Sequence, residues 1–269
     1  MRRIDGTFKE LRRKGVTGLI PFLTVGFPEL GATSELVKAL VEGGADIVEL
    51  GVPFSDPLAD GATIQHASQV ALENGVTTKA CLDTVARLRQ EGVSVPLVLM
   101  GYYNPFFRFG LDSFCRRASA VGVDGLIVAD LPPEEADPLK KLCQAHNLDL
   151  IFLVAPTSTE ERIERICRMA SGFIYCVSLT GVTGAREALP ATLPETLARV
   201  RKHTTLPLAV GFGISRREHV EAVGKHADAA IVGSALIQVL GSAPPQQRAA
   251  AARDYIAQLK GATGKPKPR

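Results

Sequence analysis

Eight short apolar segments, each bounded by Gly, Pro, Asp or Asn, recur along the chain and limit the folds that it can adopt. Runs of this kind are typical of buried strands, and the segments between them show the apolar spacing of helices, as in Phe114–Val121. Continuous apolar strands joined by helices predict a parallel sheet, and eight units in 269 residues favour an α/β fold, a single (β/α)8 TIM barrel. The predicted strands are Gly18–Gly26, Asp46–Val52, Val95–Tyr103, Gly125–Asp130, Asp149–Pro156, Phe173–Gly181, Pro207–Ser215 and Ala229–Leu236.

Two further helices flank the predicted barrel. The amphipathic segment Ile4–Leu11 predicts an extra N-terminal helix that plugs the bottom of the barrel, and Pro244 and Pro245 open a C-terminal helix, Gln246–Leu259. Capping boxes are predicted for Ser158 with Glu161 and for Ser215 with Glu218. We expect residues 1–260 to form one domain and the tail 261–269 to be disordered.

Composition favours a globular cytoplasmic protein. Hydrophobic residues make up 46% of the chain, charged residues 22%, and the net charge is only +3, so nothing predicts a nucleic-acid partner. The apolar run Gly18–Phe27 is too short to span a bilayer and is interrupted by Pro21. The five cysteines are an odd number without metal-ligand spacing, which indicates reduced thiols: Cys81, Cys115, Cys143, Cys167 and Cys176.

Glycine-bearing turns follow the last three predicted strands and indicate a phosphate site. They are Gly181–Gly184, Gly211–Gly213 and Gly233–Ser234. Glycine allows backbone N–H groups to approach a phosphate closely, and a short helix beginning at Ser234 would add its positive end. TIM barrels place their active sites at this carboxyl end of the strands.

Two carboxylates are candidates for acid–base chemistry at the same end of the barrel. Strand alternation places Glu49 on the face opposite Val48 and Leu50, so that it points either into the barrel or outward. A buried Glu needs a partner or a raised pKa, and no predicted strand contains Lys or Arg to pair with it. Asp60 lies in the loop after this strand, where an Asp beside Gly is most often a cap or turn residue.

Several other chemistries are disfavoured. No predicted strand carries the Lys of a Schiff-base aldolase, and no nucleotide-binding fingerprint is present. The five histidines lack metal-ligand spacing. On the phosphate site alone, an isomerase of sugar phosphates stays an alternative.

The segment Glu49–Gly61, ELGVPFSDPLADG, resembles the signature of tryptophan synthase α subunits. The resemblance extends over essentially the whole chain except the tail, through Pro21–Thr24, Met100–Pro105, Gly125–Pro132, Gly181–Gly184 and Gly211–Ser215. It implies a lyase of tryptophan biosynthesis that cleaves indole-3-glycerol phosphate to indole and glyceraldehyde 3-phosphate. Two alternatives stay open: a freestanding indole-releasing lyase, and a chain that acts mainly as an allosteric activator of a β subunit.

The resemblance also implies roles for individual residues. Glu49 would move protons between the glycerol hydroxyl and the leaving ring carbon, and Asp60 would hydrogen-bond the indole N–H. The backbone of Gly184, Gly213, Gly233 and Ser234 would hold the phosphate. The residues that would enclose the substrate are Phe22, Met100, Tyr102, Ile127, Ala129, Leu153, Tyr175, Thr183 and Phe212.

A partner is implied by the same resemblance. The family works as an α2β2 complex whose β subunit binds pyridoxal phosphate, and no cofactor is expected in this chain. The loops Pro53–Leu58, Asn104–Arg108 and Asp130–Pro132 would dock the β subunit, with Phe106 and Phe107 as apolar anchors. The docking residues singled out are Pro53, Phe54, Asp56, Pro57, Asn104, Phe107 and Pro132.

Overall fold

Eight parallel strands close into a barrel in chain order, with β1 beside β8. The structure is a computed structural model and describes residues 2–177, 191–211 and 213–261. Its strands are β1 (Gly18–Thr24), β2 (Val48–Gly51), β3 (Leu97–Gly101), β4 (Gly125–Val128), β5 (Asp149–Val154), β6 (Ile174–Val177), β7 (Leu208–Gly211) and β8 (Ala229–Val232). The predicted (β/α)8 barrel is therefore confirmed.

Helices alternate with these strands and cover the outside of the barrel. Within the described ranges they are α1 (Arg3–Lys14), α2 (Ala32–Glu42), α3 (Ala62–Glu73), α4 (Thr78–Gln90), α5 (Tyr103–Phe109), α6 (Leu111–Val121), α7 (Asp137–Ala145), α8 (Glu160–Met169), α9 (Leu193–Arg201), α10 (Arg217–Gly224), α11 (Ser234–Ser242) and α12 (Arg248–Lys260). None of the helices described is long and apolar enough to cross a membrane.

Most of the strands end earlier than the sequence predicts, and at β3 and β8 the predicted run continues into a helix that packs on the barrel. Tyr103 begins α5 and Ser234 begins α11, although both were included in predicted strands. Phe106 in α5 and Leu236 in α11 are fully buried, which explains why the apolar pattern does not stop where the strand does. The predicted segment 178–181 of the sixth strand lies outside the described residues.

Both predicted capping boxes are wrong. Helix α8 begins one residue later than the Ser158 prediction requires, and Thr159 caps it by accepting a hydrogen bond from the Arg162 N–H. The Ser158 hydroxyl instead accepts from the Ala155 N–H at 3.2 Å. Helix α10 begins at Arg217, so Ser215 lies outside the capping position.

The terminal helices differ slightly from their predicted bounds. A short 3-10 helix, Pro245–Gln247, precedes α12, so the predicted Gln246 start belongs to that turn. The predicted disordered tail lies outside the described residues apart from Gly261. Helix α1 closes the bottom of the barrel as predicted: Ile4, Phe8 and Leu11 are buried against the side chains that fill the interior.

Four Asp side chains at the starts of strands form ion pairs that hold the N-terminal segment and α12 to the bottom of the barrel. Asp124 pairs with Arg3 at 2.9 Å and Asp228 with Arg12 at 3.2 Å, while Asp149 pairs with Arg2. Asp46 pairs with Lys260 of α12. Asp46, Asp124 and Asp228 also accept N–H groups from a neighbouring strand, at 2.7 to 3.0 Å. These paired acids stabilise the end of the barrel opposite the active-site end.

Candidate active site

Glu49 projects from β2 into the interior of the barrel. It pairs in register with Phe22 of β1 and Val98 of β3, and Val98 belongs to the buried cluster that fills the lumen. The side chain is 0% exposed, and neither carboxylate oxygen has a hydrogen-bond partner among the described residues. The structural ion pair considered from the sequence is therefore not found in the part of the chain that the structure describes.

The environment of Glu49 favours the neutral carboxylic acid. Burial raises its pKa to about 8, because desolvation disfavours the ionised carboxylate. A carboxyl that keeps its proton at neutral pH can act as a general acid. The carboxylates at the bottom of the barrel contrast with it, since each of the four has a cationic partner.

Asp60 lies at the end of the loop between β2 and α3. Its N–H donates to the Pro57 carbonyl at 2.9 Å, and its own carbonyl accepts from the Gln65 side chain at 2.9 Å. The N-terminal cap of α3 is Gly61, so of the two alternative interpretations of Asp60 the cap is wrong, while its bond to Pro57 does close a turn. Burial raises the pKa of Asp60 to about 6, and a hydrogen bond from the Tyr102 hydroxyl opposes this rise.

A cleft at the mouth of the barrel joins Asp60 to predicted substrate-lining residues. Its wall includes Phe22, Met100, Tyr102 and Ala129, all of which the resemblance had singled out. The other lining residues are Gly51, Val52, Ile64, Ser68 and Gly101. Gly51 lines the cleft, and Glu49 lies on the same face of β2, two residues earlier, so the two Cα atoms are roughly 7 Å apart along the strand.

Gly51 leaves the space that an aromatic ring occupies. A Cβ atom at this position would stand 2.6 Å from Cζ of Phe22, closer than real carbon atoms approach. The absence of a side chain therefore allows the Phe22 ring to lie across β2 at the floor of the cleft.

Ile64 and Ser68 were missed by the sequence analysis. They lie four residues apart on α3, so they share one helix face, and that face is turned toward the cleft. No helix was predicted at Ala62–Glu73, and only a helix places residues four apart on one face.

Three other predicted lining residues lie deeper. Ile127 and Tyr175 are buried in the cluster that fills the lumen, and Leu153 is partly buried against it. The Tyr175 ring packs on Gly211. Burial is the main cause that raises the pKa of the Tyr175 hydroxyl, and the charges of Glu49 and Asp60 raise it further. Both carboxylates therefore lie close enough to Tyr175 to affect its ionisation.

The described part of the predicted phosphate site consists of Gly213, Gly233 and Ser234. Gly213 has φ +76°, a conformation that favours glycine, and nothing lies within 4 Å of where its Cβ would stand. Gly233 precedes α11, which begins at Ser234 as predicted. The first turn of a helix leaves N–H groups unpaired and attracts anions. Thr183, Gly184 and Phe212 lie outside the described residues.

The predicted docking residues lie on segments that follow β2, β3 and β4. Asp56 and Asn104 are exposed, while Phe54, Pro57 and Pro132 are half-buried and Pro53 is buried. The segment Asn104–Arg108 is part of α5 and not a loop as predicted. Phe106 is wrong as an anchor, because it is buried and stacks on Phe114 at 4.4 Å, whereas Phe107 is 61% exposed.

No metal centre is evident in the described ranges: no three His, Cys, Asp or Glu side chains there are grouped so that they could hold an ion. The arrangement instead offers one neutral acid, one acid that ionises near pH 6, and backbone donors for an anion. It suits proton transfer to a phosphorylated substrate with an apolar part.

Comparison with known proteins gives a consistent result. The family model described as "Tryptophan synthase alpha chain" matches residues 8–264. A relative of that name from Roseiflexus sp. (strain RS-1) is 56% identical over 97% of this chain and 100% of its own. Tryptophan synthase from Mycobacterium tuberculosis superposes with a TM-score of 0.89 at 37% identity, covering 98% of both chains. Subunit alpha from Legionella pneumophila str. Paris gives a TM-score of 0.90 at 37% identity over 97% of both.

Proposed function

The chain belongs to the tryptophan synthase alpha chain family, and on this premise we propose that Glu49 and Asp60 carry out its reaction. That reaction is the cleavage of indole-3-glycerol phosphate to indole and glyceraldehyde 3-phosphate, a step of tryptophan biosynthesis. The observation that carries the assignment of residues is the buried, unpaired Glu49 carboxyl, whose pKa is raised to about 8.

Glu49 acts first as an acid and then as a base. The neutral carboxyl gives its proton to the indole ring carbon that bears the glycerol chain, which converts the ring to a cationic indolenine. The resulting carboxylate then removes the proton of the adjacent glycerol hydroxyl. As the aldehyde C=O forms, the carbon–carbon bond breaks and its electron pair returns to the ring. Indole leaves, and Glu49 regains its proton.

Asp60 stabilises the positive charge that this protonation creates. Its carboxylate accepts a hydrogen bond from the indole N–H, which becomes more acidic as the ring takes up the proton. A charge-assisted hydrogen bond in a half-buried site is stronger than one in water. The backbone at Gly213, Gly233 and Ser234 holds the phosphate, and Gly184 is proposed to complete that site.

The pH dependence of indole formation tests these two protonation states. We expect kcat/KM to rise around pH 6 as Asp60 ionises and to fall around pH 8 as Glu49 loses its proton. The measurement is indole release from indole-3-glycerol phosphate across this range. In Asp60→Asn the acidic limb should disappear if it belongs to Asp60 and persist if it belongs to the substrate phosphate, whose pKa is also about 6. Activity that keeps rising above pH 9 would exclude a protonated Glu49.

The partner of the family is a β subunit, with which the alpha chain forms an α2β2 complex, and pyridoxal phosphate belongs to that β subunit. We propose that the β subunit covers Pro53, Phe54, Asp56, Pro57, Asn104, Phe107 and Pro132. Two exposed apolar side chains support this surface: Phe107 is 61% exposed and Leu58, in the loop after β2, is 91% exposed. Large exposed apolar groups often mark interfaces.

Replacing Phe107 by Asp should weaken β-subunit binding by a factor of about 30 or more, because the anchor is lost and a charge is buried. Leu30→Asp is the matched control, because Leu30 is also a large apolar residue that is 64% exposed. It lies outside the docking segments, beside Glu29, which pairs with Arg248 near the C-terminal helix. The measurement is the Kd of the complex by calorimetry. Equal losses in the two variants, or none in Phe107→Asp, would place the docking surface elsewhere.

A cytoplasmic location is also proposed. All five cysteines are buried free thiols, as a reducing compartment favours. This agrees with the location expected from the sequence.

A further inference from the structure

The Tyr102 side chain links the strand β3 to the loop that carries Asp60. The hydroxyl oxygen accepts a hydrogen bond from the Ala59 N–H at 3.0 Å. Since a phenol has one proton to give, this proton stays available for a second partner. The neighbouring Asp60 carboxylate is the candidate for this second partner, because it and the Tyr102 hydroxyl shift each other's pKa.

The ring of Tyr102 faces the docking surface defined above. Its centroid lies 5.3 Å from that of Phe54, with the two planes inclined by 33°. Phe54 is half-buried in the loop after β2, and Tyr102 itself is 5% exposed. One side of Tyr102 therefore packs against a docking residue while its hydroxyl contacts the catalytic loop.

The next residue, Tyr103, contacts the other two docking segments. The Tyr103 N–H donates to the Asp130 carboxylate at 2.7 Å, which fastens the start of α5 to the segment after β4. The Tyr103 ring stacks on Phe107 with centroids 5.8 Å apart. Tyr102 thus contacts the docking segment after β2, and its chain neighbour Tyr103 contacts the other two.

We propose that the Tyr102 hydroxyl is a positioning group, which fixes Asp60 for the indole N–H and transmits the arrangement of the docking segments to it. This inference rests on the proposed function. It does not make Tyr102 an acid or a base in the reaction. Its hydroxyl acts through Asp60, by holding the N–H of the preceding residue, Ala59, at 3.0 Å.

The charges around Tyr102 agree with this role. Burial is the main cause that raises the pKa of its hydroxyl, and the carboxylates of Asp60 and Asp130 raise it further. The phenol thus stays protonated and able to donate. Deeper in the barrel, Glu49 and Tyr175 are the other titratable groups that face this interior, and both keep their protons at neutral pH.

The test is a double-mutant cycle of Tyr102→Phe with Asp60→Asn, assayed for indole formation with the β subunit bound. Tyr102→Phe keeps the ring on Phe54 and should lower kcat about tenfold, because a loosened carboxylate loses its alignment, with KM changed less than about threefold. In the Asp60→Asn background the same change should cost less than about twofold. The acidic limb of the pH profile should move to higher pH, since the bond that favours ionised Asp60 is gone.

Tyr255→Phe is the matched control, because it also removes one tyrosine hydroxyl bond, to the Ser215 carbonyl at 3.0 Å. It should leave kcat and the acidic limb unchanged. Losses that add up in the double mutant, or an unmoved acidic limb in Tyr102→Phe, would overturn the positioning role. If the wild-type chain forms no indole with the β subunit, the proposed function itself fails, which is a different result.

Discussion

Glu49→Gln is expected to lower indole formation by about two to four orders of magnitude, the range in which general acid–base groups contribute. Gln has nearly the same shape as Glu and fits the same buried position, but it has no proton to give to the ring carbon. The measurement is kcat for indole release from indole-3-glycerol phosphate with the β subunit bound. The expected change lies in kcat, because Glu49 is proposed to transfer protons in the reaction and is not among the lining residues of the cleft.

Binding separates a chemical loss from a structural one. An indole-propanol phosphate analogue cannot be cleaved, so Glu49→Gln should bind it within about threefold of the wild-type affinity. Glu10→Gln is the matched control, since Glu10 is a surface carboxylate on α1 that pairs with Arg13 and should not affect turnover. Wild-type turnover in Glu49→Gln would remove Glu49 from the mechanism.

The face of β2 on which the Glu49 side chain lies follows from strand alternation, which the sequence shows well. Side chains alternate along a strand, so Val48 and Leu50 on one face predict that Glu49 lies on the other. The sequence could not tell which face is the lumen. The register with Val98 and the neighbouring lumen cluster supplies that answer, because the inward face is defined only when all eight strands close.

Helix boundaries and helix faces at the barrel mouth were harder to predict. The Tyr103–Phe109 segment contains four aromatic residues and one proline, which suit a loop or strand end as well as a helix. Whether Phe106 or Phe107 faces outward follows from the rotation of α5, which is fixed by packing of Phe106 on Phe114. Ile64 and Ser68 were missed for the same reason, since α3 has mixed polar and apolar faces.

The two ends of the barrel use carboxylates in opposite ways. At the bottom, Asp46, Asp124, Asp149 and Asp228 each pair with a cation, so their charges contribute to fastening the terminal helices. In the interior, Glu49 lacks such a partner among the residues described, and its isolation lowers stability while raising its pKa. A buried group that destabilises the fold is a candidate for function.

The cost of that isolation should be measurable, because Glu49→Gln is expected to be more stable than the wild-type chain at neutral pH. The unfolded chain loses the Glu49 proton above about pH 4.5, whereas the folded chain keeps it until about pH 8. Between these values the folded state binds more protons than the unfolded state, so wild-type stability falls as pH rises. The gain in Glu49→Gln should be near zero at pH 4 and about 3 kcal/mol at pH 7.

Urea unfolding followed by circular dichroism gives this difference at several pH values, with the midpoint as the measure that depends least on extrapolation. Other titrating groups contribute equally to both proteins and cancel in the difference. Glu10→Gln should show no gain that grows with pH, because its carboxylate is ionised on the surface in the folded chain and paired with Arg13. If the gap between Glu49→Gln and wild type were the same at pH 4 and pH 7, Glu49 would have to be ionised in the folded protein. It could not then supply the proton that carbon–carbon cleavage requires.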